Sequence, residues 1–296
     1  MNGILLIDKP AGWTSMDVCA KLRGALREKR IGHSGTLDPM ATGLLVVLLG
    51  RATRAAQYAE AQRKTYEALL RPGIVTDTQD TEGTILFEAD PAVMSDAALA
   101  AVLPRFRGEI EQIPPMYSAL KVNGRKLCDL ARKGKEVERK PRAVTIYALE
   151  QTGREENGDI ALHVECSKGT YIRTLCHDVG AALGCGAAMS ALRRTRCGAF
   201  GLADAHSLES VLAAASDGKA ASLLLPVETI FADLPSAALT AAQERVIRNG
   251  GSYSCPLPEG RYRLHGADDA FLALGEALEG EMRAVKSFYE VETKTQ

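Results

Sequence analysis

The chain lacks several features that would direct its reading elsewhere. No apolar run approaches the roughly 20 residues needed to cross a bilayer. Asp8, Lys9 and Pro10 interrupt any apolar core near the start, so neither a membrane span nor a secretory signal is expected. The seven cysteines are odd in number and form no C-x-x-C pair. Disulfide frameworks and cysteine metal sites are therefore not expected; buried thiols in a reducing, cytoplasmic compartment are. Internal repeats and low-complexity tracts are missing. No loop ends in the Gly-Lys-Ser/Thr of a phosphate loop, which argues against nucleotide hydrolysis. The stretch Asp77-Thr78-Gln79-Asp80-Thr81-Glu82-Gly83 superficially resembles a calcium loop. Its first two acids are spaced wrongly for one, and metal binding is not expected there.

Net charge is also nearly absent, at −1, but this hides an asymmetry. Of 36 Lys+Arg and 37 Asp+Glu, residues 201–296 hold 8 and 14, which leaves 28 against 23 in residues 1–200. Residues 121–142 alone hold nine basic and three acidic residues. Positive charge concentrated on one stretch suits nucleic acid whatever the total.

Two domains are expected from 296 residues, a larger catalytic one over 1–230 and a smaller one over 235–296, joined by the linker Ala232–Ser236. Ile4–Ile7 reads as a strand, followed by a helix from Thr14 or Ser15 to about Arg30, with Val18, Leu22 and Leu26 on one face and Trp13 as a packing staple. Leu44–Leu49 reads as a buried strand, Ala52–Ala61 as a short helix, and Lys64–Arg71 as an alternating strand. Ser95 caps a helix running to about Ile110 that Pro104 kinks or splits. Residues 111–142 form a polar, basic insertion with Asn123-Gly124 and a short helix near Leu127–Arg132. Val144–Glu150 and Asp159–Glu165 pair as a hairpin that leaves His163 on the outer face. Tyr171 and Arg173 follow, two apart and on the same side if the chain is extended, before a helix over Thr174–Leu183 that Gly184 stops. Strands around Tyr262, Phe271–Leu274 and Met282–Tyr289 build the C-terminal part.

One stretch stands apart, Gly32-His33-Ser34-Gly35-Thr36-Leu37-Asp38-Pro39-Met40-Ala41-Thr42-Gly43. Its glycines and proline forbid a helix, yet a core strand follows at once. A tight polar loop anchored on a strand holds a side chain both still and accessible. Asp38 is its only carboxyl; taken alone it is either a turn acid or a reactive group.

The loop resembles the catalytic-aspartate loop of pseudouridine synthases, most closely the bacterial TruB family. Further segments agree in the family's order: Leu6-Ile7-Asp8-Lys9-Pro10-Ala11-Gly12-Trp13-Thr14-Ser15, Lys64-Thr65-Tyr66-Glu67-Ala68, Pro114-Pro115-Met116-Tyr117-Ser118-Ala119-Leu120-Lys121, Gly169-Thr170-Tyr171-Ile172-Arg173 and Leu192-Arg193-Arg194-Thr195. The resemblance implies an α+β catalytic domain built on a mixed, mainly antiparallel sheet flanked by helices, with a small PUA-like β-barrel after it. The implied activity is isomerisation of uridine 55 in the T stem-loop of tRNA, without cofactor, metal or obligate protein partner, by a monomer. It carries the nucleophile onto Asp38 and its cationic partner onto Arg173. It also assigns Tyr66 to stack on a flipped-out uracil, Tyr171 and Leu192 to line the base pocket, and His33 to fill the space the base vacates. Lys9 is either a turn cation or, as the resemblance suggests, part of a buttress for the loop. The insertion at 111–142 is expected to close over the RNA stem. A buried carboxyl tends to take up a proton, and an adjacent cation opposes that; a flipped base costs a few kcal/mol, against about 1–3 kcal/mol returned by stacking. Two other roles fit the resemblance: a tRNA-folding chaperone and the catalytic subunit of a guide-RNA complex.

Overall fold

A computed structural model describes residues 1–289 except Asn123, so the end of the 235–296 stretch and the Asn of Asn123-Gly124 lie outside the described residues. The larger sheet runs in the order His206–Ser207, Gly3–Lys9, Thr42–Leu49, Ala187–Cys197, Lys64–Pro72, Ile160–Cys166, Arg142–Arg154, Gly108–Gln112. It is mixed and mainly antiparallel, as expected; two of these pairings are parallel, Gly3–Lys9 with His206–Ser207 and Ala187–Cys197 with Thr42–Leu49.

The unbroken apolar run of Thr42–Leu49 is explained by cover on both faces. Leu45, Val47 and Leu49 pack with Val18 and Leu22 of the helix Ser15–Leu26, whereas Leu44, Val46 and Leu48 pack with Ala52, Ala55, Ile230 and Phe231. The strand Lys64–Pro72 instead alternates. Tyr66, Ala68 and Leu70 join the core that contains Ile172, Leu175 and Val179, while Glu67 on the other face is exposed.

Local chemistry sets the helix ends. Thr14 and Asp17 form a reciprocal capping box at the start of Ser15–Leu26. This helix stops before Arg30, because Arg27 turns left-handed at φ 50° and Arg23 reaches over to the carbonyl of Ile31. Ser95 caps Asp96–Val102, and Pro104 opens a separate 3-10 turn, Leu103–Phe106. The expected continuation to Ile110 is wrong: Gly108–Gln112 is a strand, pairing with the start of Arg142–Arg154. Gln112 sits opposite Arg142, so the basic insertion leaves and re-enters at one point on the sheet edge. Within it lie the short pair Lys121–Val122 and Arg125–Lys126 and the helix Leu127–Ala131.

The second sheet has five strands in the order Ser236–Ala238, Gly260–His265, Phe271–Leu278, Glu281–Ser287, Ser252–Ser254, a half-barrel consistent with a PUA-like unit. The stretch read as a linker is exposed except at Leu234, and it is flanked by packed residues. Phe231 lies 5.9 Å from Phe271 and 5.8 Å from Phe288, ring centre to ring centre, and Leu234 packs against the same cluster as Ile4 and Leu6. Among the described residues no helix is long and apolar enough to cross a membrane.

Candidate active site

The loop before Thr42–Leu49 is held by side chains from several distant segments. Leu37 donates its N–H to the buried Ser15 hydroxyl at 2.8 Å, and Gly12 donates to the carbonyl of Pro39 at 2.8 Å. Lys9 is fully buried and spends its ammonium on the carbonyls of Trp13 (2.7 Å), Pro10 (2.9 Å) and Pro39 (3.2 Å). The segment thus buttresses the loop, and Lys9 is more than a turn cation. Burial pushes the Lys9 ammonium down to about 8, with Asp38 opposing and Arg194 adding to the shift. Arg194 donates to Leu44 O at 2.7 Å and to Gly35 O at 3.3 Å, one carbonyl at each end of the loop. Gly43 has to be glycine: its φ is +97°, and a Cβ there would lie 2.3 Å from the carbonyl oxygen of Arg194.

Asp38 faces Arg173 in a two-pronged pair, Nε to Oδ2 at 2.9 Å and Nη2 to Oδ1 at 3.1 Å. The Arg173 side chain is 5% exposed and that of Asp38 33%. The guanidinium is itself fixed by the carbonyls of Thr78 (2.9 Å) and Tyr117 (2.8 Å), and its Nη1 lies 3.5 Å from Asp80 Oδ2. Arg173 stands in the first turn of the helix Ile172–Leu183, which begins two residues earlier than expected. Tyr171 is its N-cap, so the extended spacing assumed for the two residues does not hold. The backbone of Tyr171 is instead pinned by the buried Gln112 side chain, whose Oε1 accepts from Tyr171 N at 3.0 Å and whose amide donates to Tyr171 O at 3.3 Å.

Asp38, Tyr66, Tyr171, Arg173 and Leu192 line one cavity of about 380 Å³. Lys64, Arg142, Lys168 and Arg194 add positive charge to its wall, and Glu60 adds one further acid. His33 is beside the loop and outside that wall, its Nδ1 accepting from Gly35 N at 3.3 Å. Burial, reinforced by Arg194, pushes the His33 imidazole below its ordinary value and so favours the neutral ring. Burial raises the Tyr66 phenol to about 12 despite Arg194 nearby, which keeps it protonated. His163 is on the outer face, 2.7 Å from Glu67, away from the cavity.

Three participants escaped the sequence. Asp80 sits in the 77–83 loop that superficially resembles a calcium site; its Oδ1 accepts from Thr78 Oγ1 at 2.6 Å and from Glu82 N at 3.1 Å, which leaves Oδ2 aimed at Arg173. Gln112 had no local signal, since its role depends on strand pairing. Arg194 did leave one: it shares its strand face with Leu192, so an arginine falls where an apolar residue belongs.

A family model for the N-terminal domain of TruB family pseudouridylate synthases matches residues 23–172, and one for the C-terminal domain of tRNA pseudouridylate synthase B matches 173–232. The chain belongs to the TruB family. Its TruB relatives include tRNA pseudouridine synthase B of Ralstonia pickettii (strain 12J), 44% identical over 92% of this chain and 87% of that protein. The same-named protein of Clostridium kluyveri is 40% identical over 97% and 100%. Among solved structures, an H/ACA RNP bound to a substrate RNA containing 2'-deoxyuridine aligns with TM-score 0.73 and 26% identity, over 97% of this chain and 85% of the other. A Cbf5-Nop10-Gar1 complex aligns with TM-score 0.71 and 29% identity, over 93% and 78%. The catalytic-domain architecture expected of a TruB protein is therefore present.

Proposed function

We propose that this chain isomerises uridine in tRNA to pseudouridine, at position 55 of the T loop, with Asp38 as the nucleophile. The observation that carries this reading is the two-pronged Asp38–Arg173 pair in a cavity walled by Tyr66. The reaction breaks the bond between ribose C1′ and uracil N1, turns the base, and rejoins it through C5. Atoms are neither gained nor lost, so the chemistry calls for one ionised carboxylate and a closed pocket rather than a cofactor or metal.

In this reading Arg173 holds both oxygens of Asp38 and aims them, and Asp80 steadies Arg173 from behind. Tyr66 stacks on the everted base, returning part of the unstacking cost. Tyr171 and Leu192 close the pocket, and His33 fills the gap left in the RNA. Arg142 and Lys168, on the cavity wall, supply positive charge for the phosphates on either side of the target. The insertion grips the stem, which suits an enzyme acting without a guide RNA. Residues 1–230 form the catalytic unit and 235–296 a PUA-like accessory unit. The protein acts as a cytoplasmic monomer.

The test is to incubate the purified protein with an unmodified T-arm stem-loop, without ATP or added metal, and to map pseudouridine. One modified position, lost in Asp38→Asn while RNA affinity stays within severalfold, is the expected result. Turnover retained by Asp38→Asn would reject the nucleophile, and no product from the wild type would reject the reading.

A further inference from the structure

Three cations are buried around the catalytic loop and cavity with, among the described residues, no carboxylate oxygen within 4.0 Å: Lys9, Lys64 and Arg194. Burying an unpaired charge is costly, so each should have a compensating reason. Lys9 has one in its three carbonyls and does not line the cavity. Lys64 does line it, but its ammonium caps the end of the helix Ala56–Ala61 through the carbonyls of Glu60 and Gln62.

Arg194 is different. It is 2% exposed, and among the described residues no carboxylate oxygen lies within 4.0 Å of it. Its neighbour Arg193, by contrast, pairs with Asp8 at 2.7 Å. Nε and Nη2 of Arg194 are taken by Leu44 O and Gly35 O, while the residue lines the cavity and is the strand-register partner of Tyr66. A fixed positive charge in a dry site is worth most where negative charge appears during reaction.

We infer that Arg194 is a further catalytic residue, whose guanidinium stabilises the negative charge that builds on uracil as its bond to ribose breaks. In that step the C1′–N1 electron pair stays with the base, leaving a uracil anion beside Arg194 while Asp38 attends to the sugar. The new C1′–C5 bond then forms, and the proton displaced from C5 is matched by the one finally carried on N1. The inference rests on the pseudouridine-synthase reading. It also predicts something that bracing the loop does not: the benefit of Arg194 must depend on how readily the base accepts the electron pair.

The experiment compares stem-loops carrying uridine or 5-fluorouridine at the target, under single-turnover conditions, for wild type, Arg194→Gln and Arg194→Lys. Loss of the starting nucleoside is followed by digestion and chromatography, and RNA affinity is measured alongside. Fluorine makes the departing base a weaker base and a better leaving group, so it needs less help. The expected result is a rate loss of roughly 10²-fold or more for Arg194→Gln on uridine, a loss several-fold smaller on 5-fluorouridine, and affinity within severalfold. Equal losses on both substrates, or an undiminished rate, would overturn the inference and leave Arg194 as a brace. If Arg194→Gln does not fold, Arg194→Lys carries the same comparison, since its ammonium keeps the charge at a shorter reach. A wild type inactive on both RNAs would instead overturn the underlying reading.

Discussion

Arg173 holds both oxygens of Asp38 while its far nitrogen faces Asp80, so one guanidinium stands between two carboxylates. Each member has a distinct job, and the variants should separate them. Arg173→Lys replaces a planar fork by a single ammonium that cannot serve Asp38, Thr78 O and Tyr117 O together. Single-turnover rates should fall by roughly 10²-fold or more, with stem-loop affinity changed only severalfold. Equal losses in rate and affinity would mean that the pair shapes the RNA site rather than the reaction.

Asp80→Asn should be milder. The amide oxygen can still accept from Thr78 Oγ1 and Glu82 N, so the loop persists, but the charge steadying Arg173 is gone. A decrease in turnover of roughly tenfold, with an unchanged melting temperature, is expected. Full activity would assign Asp80 to the loop alone.

Lys9 gives a pH signature. Its ammonium is lowered by burial to about 8, so between pH 8 and 10.5 the unfolded chain holds a proton that the folded one has released. Stability supplied through this group therefore rises with pH across that window. The wild type should gain on Lys9→Met in denaturant unfolding as pH goes from 8 to 10. A constant difference would place the Lys9 titration outside the window.

Asp159 gives the opposite sign. Burial pushes its carboxyl up, but Arg71 at 2.8 and 2.9 Å and Ser190 at 2.6 Å outweigh this and hold it below its ordinary value. Its contribution is present above the unfolded value near 4 and is lost as pH falls below it. Asp159→Asn should cost about 2 kcal/mol at pH 7, tempered by the 40% exposure of Arg71, and progressively less in acid. An equal cost at pH 7 and pH 3 would count against the ion pair.

Tyr66→Phe keeps the ring and removes a phenol that stays protonated up to about pH 12. RNA affinity should be retained, while Tyr66→Ala loses the base platform and weakens binding by about 1–3 kcal/mol. Fluorescence titration with a stem-loop distinguishes the two. Comparable weakening in both variants would remove stacking from the role of Tyr66.

How far this was readable beforehand depended on whether the signal was local. The Thr14 cap, the doubly covered run of Leu44–Leu49 and the alternation of Lys64–Arg71 each carry their cause in adjacent residues. Gly108–Gln112 does not: it follows a helical segment, and only pairing with Arg142–Arg154 makes it a strand. The helix start at Ile172 was hidden for a similar reason, as Gln112, remote in sequence, fixes the preceding backbone. At the site, Asp38 and Arg173 were legible through motifs. Asp80 was not, because its loop reads as a turn until the fold folds it under Arg173.

The ring cluster of Phe231, Phe271 and Phe288 ties the fate of the two sheets together. A chain cut after residue 230 would bare the Ile4, Leu6 and Ile230 side of its own core to water, so the C-terminal half-barrel serves as a lid on the catalytic body as well as a module beside it. Heating should therefore melt both in one event, and deletion of the half-barrel should yield a sticky, aggregating remnant instead of a smaller working enzyme.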